Sequence, residues 1–545
     1  MTETTVKAEK QNAAAITYAA VLTFASLAIL LYGRICLAGF TLDEFSHLGY
    51  CVQTFQGHSE ALLAKLFGPW TSGKEDGILA YRPVTCLSFV IDYAIWQTKV
   101  VGWHITNLFC LVTVSFYSGA ILTELLRKAV STRAAIVAGI VSGLLMLVYP
   151  GHPDSVATIV GRVDLLPTMF YLASTYFYIL FRRTDTSKKC LYTSLVLFWL
   201  ALGSKEIAVT LPVILLVGEL LNLFGPLQAD GAVEPEKTSS RTFVSALKRV
   251  LPYFYTLAAF ALLRTIVLHG QVGGYGKMHL KTMVKQLLNF ADGATILKIL
   301  VPINEHYPMP QAFSMAMLAS YALAALNFAT LLLKNKNFAK VVAFLAIFII
   351  VNVLLTFQIW HIYPNMVGAR LFFLSSAGFC SLLATGFLLD AKNKGMSFLN
   401  MCAAGFLALV WSVVLVNNLQ PFEQAAKMMD SLQMQMVELA QSAAPRGEKI
   451  WIEYLPQDFN GAPMIGKPAF LAVMLQPPLA PADLRQHIIV PDRFEKLSAE
   501  EYIAKYGQPY KLRQLNLLDQ DLPTKKETVR IFTFDEKVGH LIAKP

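Results

Sequence analysis

From residue 14 to about residue 417, long apolar blocks alternate with short polar segments. A membrane-crossing helix requires about 20 mostly apolar residues. The blocks 14–34, 104–126, 134–150, 165–181, 190–204, 207–224, 250–268, 312–333, 340–358, 369–389 and 397–417 therefore predict eleven crossings. Lys7 and Lys10 precede the first block, which is long and lacks a small-residue cleavage site, so it reads as an anchor and not as a cleaved signal peptide. The fold class expected is an α-helical polytopic membrane protein, with residues 1–420 as the multi-span domain.

The pattern changes beyond residue 420. From 421 to 545, Pro, Gln, Asp, Glu and Lys return at the density of a soluble domain. Alternation and β-branched or aromatic content predict strands at Lys449-Ile-Trp-Ile-Glu-Tyr and at Thr528-Val-Arg-Ile-Phe-Thr-Phe. Residues 424–441 and 498–506 read as helices. This length suffices for a small α/β domain.

Composition agrees with the pattern. The chain is 55% hydrophobic and 15% charged, with 35 Phe and 21 Tyr, whereas soluble domains carry about 25% charge. The net charge of +10 does not indicate nucleic acid, because the Lys and Arg sit in short clusters between apolar blocks. The seven Cys are scattered without a C-x-x-C pair, which argues against a zinc knuckle or a disulfide framework. Cys51 and Cys86 share one external segment, where they either pair or stay free thiols.

The clusters set the orientation. Arg127, Lys128 and Arg133; Arg182, Arg183, Lys188 and Lys189; Lys334, Lys336 and Lys340; and Lys392 and Lys394 all fall in alternate loops. With the N-terminus inside, every one is cytoplasmic, and the opposite short loops hold only Arg162, Lys205 and Arg370. The 421–545 domain is then expected outside the cytoplasm. The longest cytoplasmic loop, 225–248, is polar and contains Pro and Gly.

Polar residues cluster on the outer side, where ionisable groups near spans mark candidate sites. The first outer loop, about 35–103, opens with Thr41-Leu42-Asp43-Glu44-Phe45. It continues through an amphipathic stretch at 59–67 and through Tyr81-Arg82-Pro83 into an apolar run, 84–96, that contains Asp92. The acidic pair reads as a general base, a metal ligand or a solvated helix end. Tyr149-Pro-Gly-His152-Pro-Asp154 is followed by Gly161-Arg162-Val-Asp164, either a capped helix start with an Arg–Asp pair or part of a site. Lys205-Glu206 is either a local ion pair or a lysine aimed at lipid phosphate. Arg264 and His269 border the loop 269–311, in which 278–290 reads as an interfacial helix bearing Lys281 and Lys285. Arg370 is either a snorkelling residue or a phosphate ligand.

The order of these motifs carries a resemblance. Asp43-Glu44, Tyr81-Arg82-Pro83, His104-Ile-Thr-Asn107, Gly151-His-Pro-Asp154 with Gly-Arg162-x-Asp164, Ser-Lys205-Glu206 and Gly-Ala-Arg370-Leu-Phe-Phe-Leu-Ser-Ser-Ala-Gly-Phe occur in turn. The set resembles the polyprenyl-phosphate-sugar-dependent glycosyltransferases of the GT-C fold. It is most similar to the transmembrane, tetratricopeptide-repeat O-mannosyltransferases and their bacterial relatives. It resembles protein O-mannosyltransferases and the lipid A aminoarabinose transferase more distantly. The resemblance covers about residues 14–390. Two features depart from it: no tetratricopeptide repeats follow the last span, and an expected Glu-Arg reads Ala369-Arg370.

The resemblance implies a sugar moved from a polyprenyl-phosphate donor to an acceptor hydroxyl at the outer face, with inversion. It implies Asp43 as general base with Glu44 as partner, and Asp154 within the site. Arg162, Lys205, Arg264 and Arg370 would be the donor-phosphate ligands. Tyr81, Arg82, His104, Asn107, His152, Asp164 and Glu206 would be supporting residues. The acceptor is a protein, a glycan or a lipid, and a divalent metal is an open possibility. The compartment expected is a bacterial inner membrane with a cytoplasmic N-terminus and a periplasmic C-terminus, or, equivalently in topology, the endoplasmic reticulum. Two other readings compete. A transporter or flippase would place broken helices at mid-membrane, and a non-catalytic assembly factor would leave Asp43 and Glu44 dispensable.

Overall fold

In the computed structural model, the structure describes residues 3–41, 43–70, 80–184, 188–226, 239–270, 293–356, 361–388, 398–465, 468–491, 494, 504, 512–514 and 529–543. Helices occupy all eleven apolar blocks. Among the described residues, eight helices are long and apolar enough to cross a membrane: Ala15–Tyr32, Val100–Leu126, Arg162–Arg183, Phe243–Val267, Gln311–Lys334, Lys336–Thr356, Ala369–Gly386 and the helix beginning at Phe398. Three expected spans form shorter helices, Thr132–Val148, Lys188–Leu202 and Leu211–Leu220. The last is shortened because Glu206–Thr210 adopts a 3-10 turn before Pro212. The fold is that of an α-helical polytopic membrane protein with a small α/β domain at its C-terminal end.

Helix packing follows the needs of an apolar solvent, in which close backbone approach and interhelical hydrogen bonds replace hydrophobic drive. Gly119 and Gly139 face one another: a Cβ on Gly119 would fall 2.4 Å from the Gly139 carbonyl oxygen. Ser118 Oγ lies 3.2 Å from Ser142 Oγ, which lies 2.8 Å from Ser381 Oγ, so one hydroxyl ladder joins three helices. The Val100–Leu126 and Thr132–Val148 helices form an antiparallel pair, and the loop that carries Asp154 leaves it at Val148. Ser131 caps the second helix, accepting from the Ala134 N–H at 3.3 Å.

The segment 35–103 contains the helices Glu44–Phe55, Ser59–Leu66 and Pro83–Trp96, in agreement with the amphipathic stretch at 59–67 and the apolar run at 84–96. The expected interfacial helix 278–290 lies outside the described residues, as do Lys392 and Lys394 and all but Ala504 of the helix expected at 498–506. Of the loop 225–248, residues 239–248 form the start of the Ser239–Val267 helix, and 227–238 lie outside the described residues. Cys51 and Cys86 are buried free thiols.

One expectation is corrected by continuity. The span 397–417 and the helix 424–441 form a single helix, Phe398–Ala443, of 46 residues. At 1.5 Å per residue it is about 70 Å long, far more than a hydrocarbon core of about 30 Å needs. Pro421 sits inside it. The distal half buries Ala425, Met429, Leu432, Met436 and Ala440 at helical spacing. It packs on a five-stranded sheet of order β5-β4-β1-β6-β7: Leu512–Gln514, Ile488–Pro491, Lys449–Tyr454, Val529–Asp535 and His540–Ala543. β1 is parallel to both β4 and β6, whereas β5 and β7 add antiparallel edges. A two-stranded ribbon, β2 (Asp458–Phe459) and β3 (Ala462–Pro463), follows β1. The core of this domain is continuous with Phe40, Phe45, Leu48 and Trp103 of the outer segment.

Candidate functional site

The first acidic pair divides into two different residues. Asp43 precedes the Glu44–Phe55 helix and is half-buried. Glu44 is turned inward. Its carboxylate accepts the Thr41 N–H at 2.6 Å on one oxygen, and the Ile159 and Val160 N–H groups at 2.5 and 3.4 Å on the other. Burial raises the Glu44 carboxyl to about 7 against the lowering effect of those N–H donors. Glu44 thus fastens the first outer segment to the segment that follows Asp154.

The same joint is held from the other side. Asn107 donates to the Thr158 carbonyl at 2.8 Å and accepts from Arg162 Nε at 2.9 Å. The Arg162 side chain is fully buried, lies 2.5 Å from Asp92, donates to the Trp103 carbonyl at 3.0 Å and stacks over Phe89 at 4.9 Å. These contacts enclose the Arg162 guanidinium among protein groups. Lys205 is likewise paired with Asp164, both side chains being nearly buried. Arg82 binds Glu206 at 3.1 Å and lies over the Trp70 ring at 5.4 Å. The Val84 N–H donates to the Gly203 carbonyl at 2.9 Å, which docks the Tyr-Arg-Pro segment on the Lys205 loop.

Tyr81, His104 and His152 also contact neighbouring segments of the chain. Tyr81 OH donates to the Leu66 carbonyl at 3.0 Å. His104 Nε2 lies 3.3 Å from the Ala38 carbonyl. His152 is buried, with Nε2 2.9 Å from Ser376 Oγ, and burial pushes its imidazole down to about 3, so it is neutral. Arg264 is half-buried near the end of the Ser239–Val267 helix.

Asp154 and Arg370 differ from these. They approach to 3.9 Å, and the Arg370 side chain is 41% exposed. Desolvation raises the Asp154 carboxyl above its ordinary range, Arg370 pulls it back, Asp164 raises it further and Lys205 lowers it. A small cavity is lined by Asp154, Asn304, Asn365, Ala369, Asn418, Phe422 and Gly461, among others. A second, equally small, is lined by Gly39, Thr41, Thr158, Phe422 and Pro463, among others. Both lie where the segment 151–158 meets residues 418–463, the second also against residues 35–41. Among the described residues, no group of three or more His, Cys, Asp and Glu side chains is placed to hold a metal ion.

Sequence reasoning did not single out Asn304, Asn418 or Gly461. Asn460-Gly461 was nonetheless a readable hairpin signal. Asn418, an amide inside an apolar helix, carried the polar-in-span signal.

No protein-family model matches the chain. It is 28% identical over 136 residues to "Protein O-mannosyl-transferase F38B6.6" of Caenorhabditis elegans, covering 25% of this chain and 18% of the relative. It is 26% identical over 185 residues to "Protein O-mannosyl-transferase TMTC3" of Homo sapiens, covering 33% of this chain and 19% of the relative. The matched region thus spans about one fifth of the length of these relatives. Among solved structures, ArnT from Cupriavidus metallidurans bound to undecaprenyl phosphate superposes with a TM-score of 0.45 at 9% identity, over 90% of this chain and 95% of that one. The chain is similar in sequence to transmembrane O-mannosyl-transferases, the group that the order of its outer-face motifs resembles.

Proposed function

We propose that this chain is an integral-membrane glycosyltransferase that moves a sugar from a polyprenyl-phosphate donor to an acceptor hydroxyl at the outer membrane face, with inversion. The observation that carries the reading is the contrast among the outer charges. Arg162, Lys205, Glu206 and Glu44 are paired within the frame, whereas Asp154 lines a cavity and lies 3.9 Å from Arg370, whose side chain is 41% exposed. The similarity to protein O-mannosyl-transferases supports the class of reaction.

In this reading Asp43 takes the proton of the acceptor hydroxyl as its oxygen attacks the anomeric carbon. The bond to phosphate breaks, and the leaving phosphate keeps the electron pair. Arg370 stabilises the charge that develops there, a role suited to a planar guanidinium. Arg264, half-buried near the end of its helix, is the second cation proposed to act on the donor. Asp154 holds the sugar or the acceptor and tunes Arg370. Glu44, Arg162, Asn107, Lys205, Asp164, Arg82, Glu206, Tyr81, His104 and His152 act as frame. Residues 1–420 form the membrane domain and 421–545 an extracytoplasmic domain. The N-terminus is cytoplasmic, in a bacterial inner membrane or, equivalently, the endoplasmic reticulum. The acceptor is a protein, a glycan or a lipid.

The test is sugar transfer by purified protein supplied with membrane extract containing polyprenyl-phosphate sugars. Asp43→Asn should abolish transfer and keep the fold. Full activity in that variant sinks Asp43 as the base. Labelling of a cysteine placed at residue 43 from the cytoplasmic side alone sinks the sidedness.

A further inference from the structure

The C-terminal domain reaches the Asp154–Arg370 pair through one hairpin tip. β2 and β3 are joined by the two residues Asn460 and Gly461, with φ of 52° and 96°. Positive φ at both central positions is the signature of the tight hairpin turn for which Asn-Gly is the preferred sequence. The Gly461 N–H also donates to Asp458 Oδ1 at 3.3 Å. The tip is therefore a locally specified, stiff element and not a loose loop.

Two contacts leave the tip. The Asn460 carbonyl accepts Asn304 Nδ2 at 3.0 Å. Gly461 packs so tightly on residue 365 that a Cβ there would fall 2.3 Å from the Asn365 carbonyl oxygen. Asn365 belongs to the segment that leads into Arg370. The first contact continues inward. Asn304 Oδ1 accepts the His306 N–H at 2.9 Å, and the Asn304 N–H donates to Asn418 Oδ1 at 3.2 Å. Asn418 is 2% exposed. Its Nδ2 donates to the Pro150 carbonyl at 2.9 Å and the Pro302 carbonyl at 2.6 Å. Pro150 opens the loop that carries Asp154.

Both hydrogens of the Asn418 amide and one acceptor site of its oxygen are in use, in a place without competing solvent. A buried amide that loses such partners bears the full desolvation cost, so the arrangement is well determined. Its two ends are the two elements that carry the candidate site. Resting on the reading of Asp154 and Arg370 given above, we propose that the Asn460-Gly461 tip, with Asn304 and Asn418, positions the Asp154 loop relative to the Arg370 segment. The C-terminal domain is then a structural part of the site, and these four are positioning residues.

The test uses the full chain in lipid nanodiscs, with hydrogen exchange read by mass spectrometry. Gly461→Ala places a methyl against Asn365 at a φ that disfavours it. Asn304→Ser removes the link to Asn460 and leaves the backbone bond to Asn418 intact. Each should speed amide exchange about tenfold in residues 151–156, and Gly461→Ala also in 365–372, with β1 and β6 still protected. In an active preparation, Asn304→Ser should lower kcat and leave KM unchanged. Wild-type exchange in 151–156 in both variants overturns the proposal. If Gly461→Ala loses protection in the sheet itself, Asn304→Ser decides alone. The role of Asp154 is read separately with Asp154→Asn. Full transfer there removes the chemical reading, and the exchange result still decides the positional one.

Discussion

Arg370 lies 3.9 Å from Asp154, close enough to bias its proton and too far for a fixed fork of hydrogen bonds. The Asp154 carboxyl sits above its usual range through desolvation, with Arg370 pulling it down. If activity needs the carboxylate, it is present above the Asp154 pKa and is lost as pH falls through it. Removing the cation raises that pKa further. Arg370→Gln should therefore move the acid limb of the pH–rate profile to higher pH. It should also lower transfer by about two to three orders of magnitude, as loss of a charge-stabilising group does. An unmoved acid limb separates Asp154 from the rate.

Arg162 and Asp92 show the opposite design. Both side chains are nearly or fully buried, at 2.5 Å, and the guanidinium also serves Asn107 and Trp103. Breaking such a pair leaves a buried charge and costs about 3–5 kcal/mol. Arg162→Lys keeps the charge but not the fork, so it should also unfold the outer segment at lower temperature. Thermal unfolding in detergent checks this. A variant with wild-type stability and weakened donor binding would restore the phosphate role for Arg162.

Glu44→Gln makes a sharper test of the acidic pair. One carboxylate oxygen becomes an NH2 group that must face the Thr41 N–H or those of Ile159 and Val160. Donor against donor in a buried place costs about 1–3 kcal/mol. The variant should lose stability and keep the pH profile of any remaining activity, measured by paired unfolding and transfer assays. A changed pH profile at unchanged stability would make Glu44 a proton-transfer group.

Much of this architecture was legible in the sequence, for physical reasons that vary by residue. Apolar blocks predict helices well because lipid admits few alternatives, and Lys449–Tyr454 alternates as a half-buried strand does. The outer charges were legible as a set. Their partners were not, because Arg162 with Asp92, and Arg82 with Glu206, join residues far apart in the chain. The long helix was not expected because its apolar block ends at residue 417, whereas Asn418 bonds two distant carbonyls and Pro421 is accommodated inside the helix.

The glycine contact beneath the site gives a last expectation. Gly119 and Gly139 bring the Val100–Leu126 and Thr132–Val148 helices into backbone contact, and a Cβ at residue 119 would lie 2.4 Å from a carbonyl oxygen. Those helices carry Asn107 at one point and release the Asp154 loop at another. Gly119→Ala must therefore push the pair apart, at a cost of about 1–3 kcal/mol from overpacking. Gly405, in the interior of the Phe398–Ala443 helix, has nothing within 4 Å of the same added atom. Gly405→Ala should be neutral or stabilising by up to about 1 kcal/mol, because alanine is the better helix former. Thermal unfolding of the two variants side by side checks the contrast. Equal midpoints would mean that the helix pair relaxes freely and that its close approach does not hold the Asp154 loop in place.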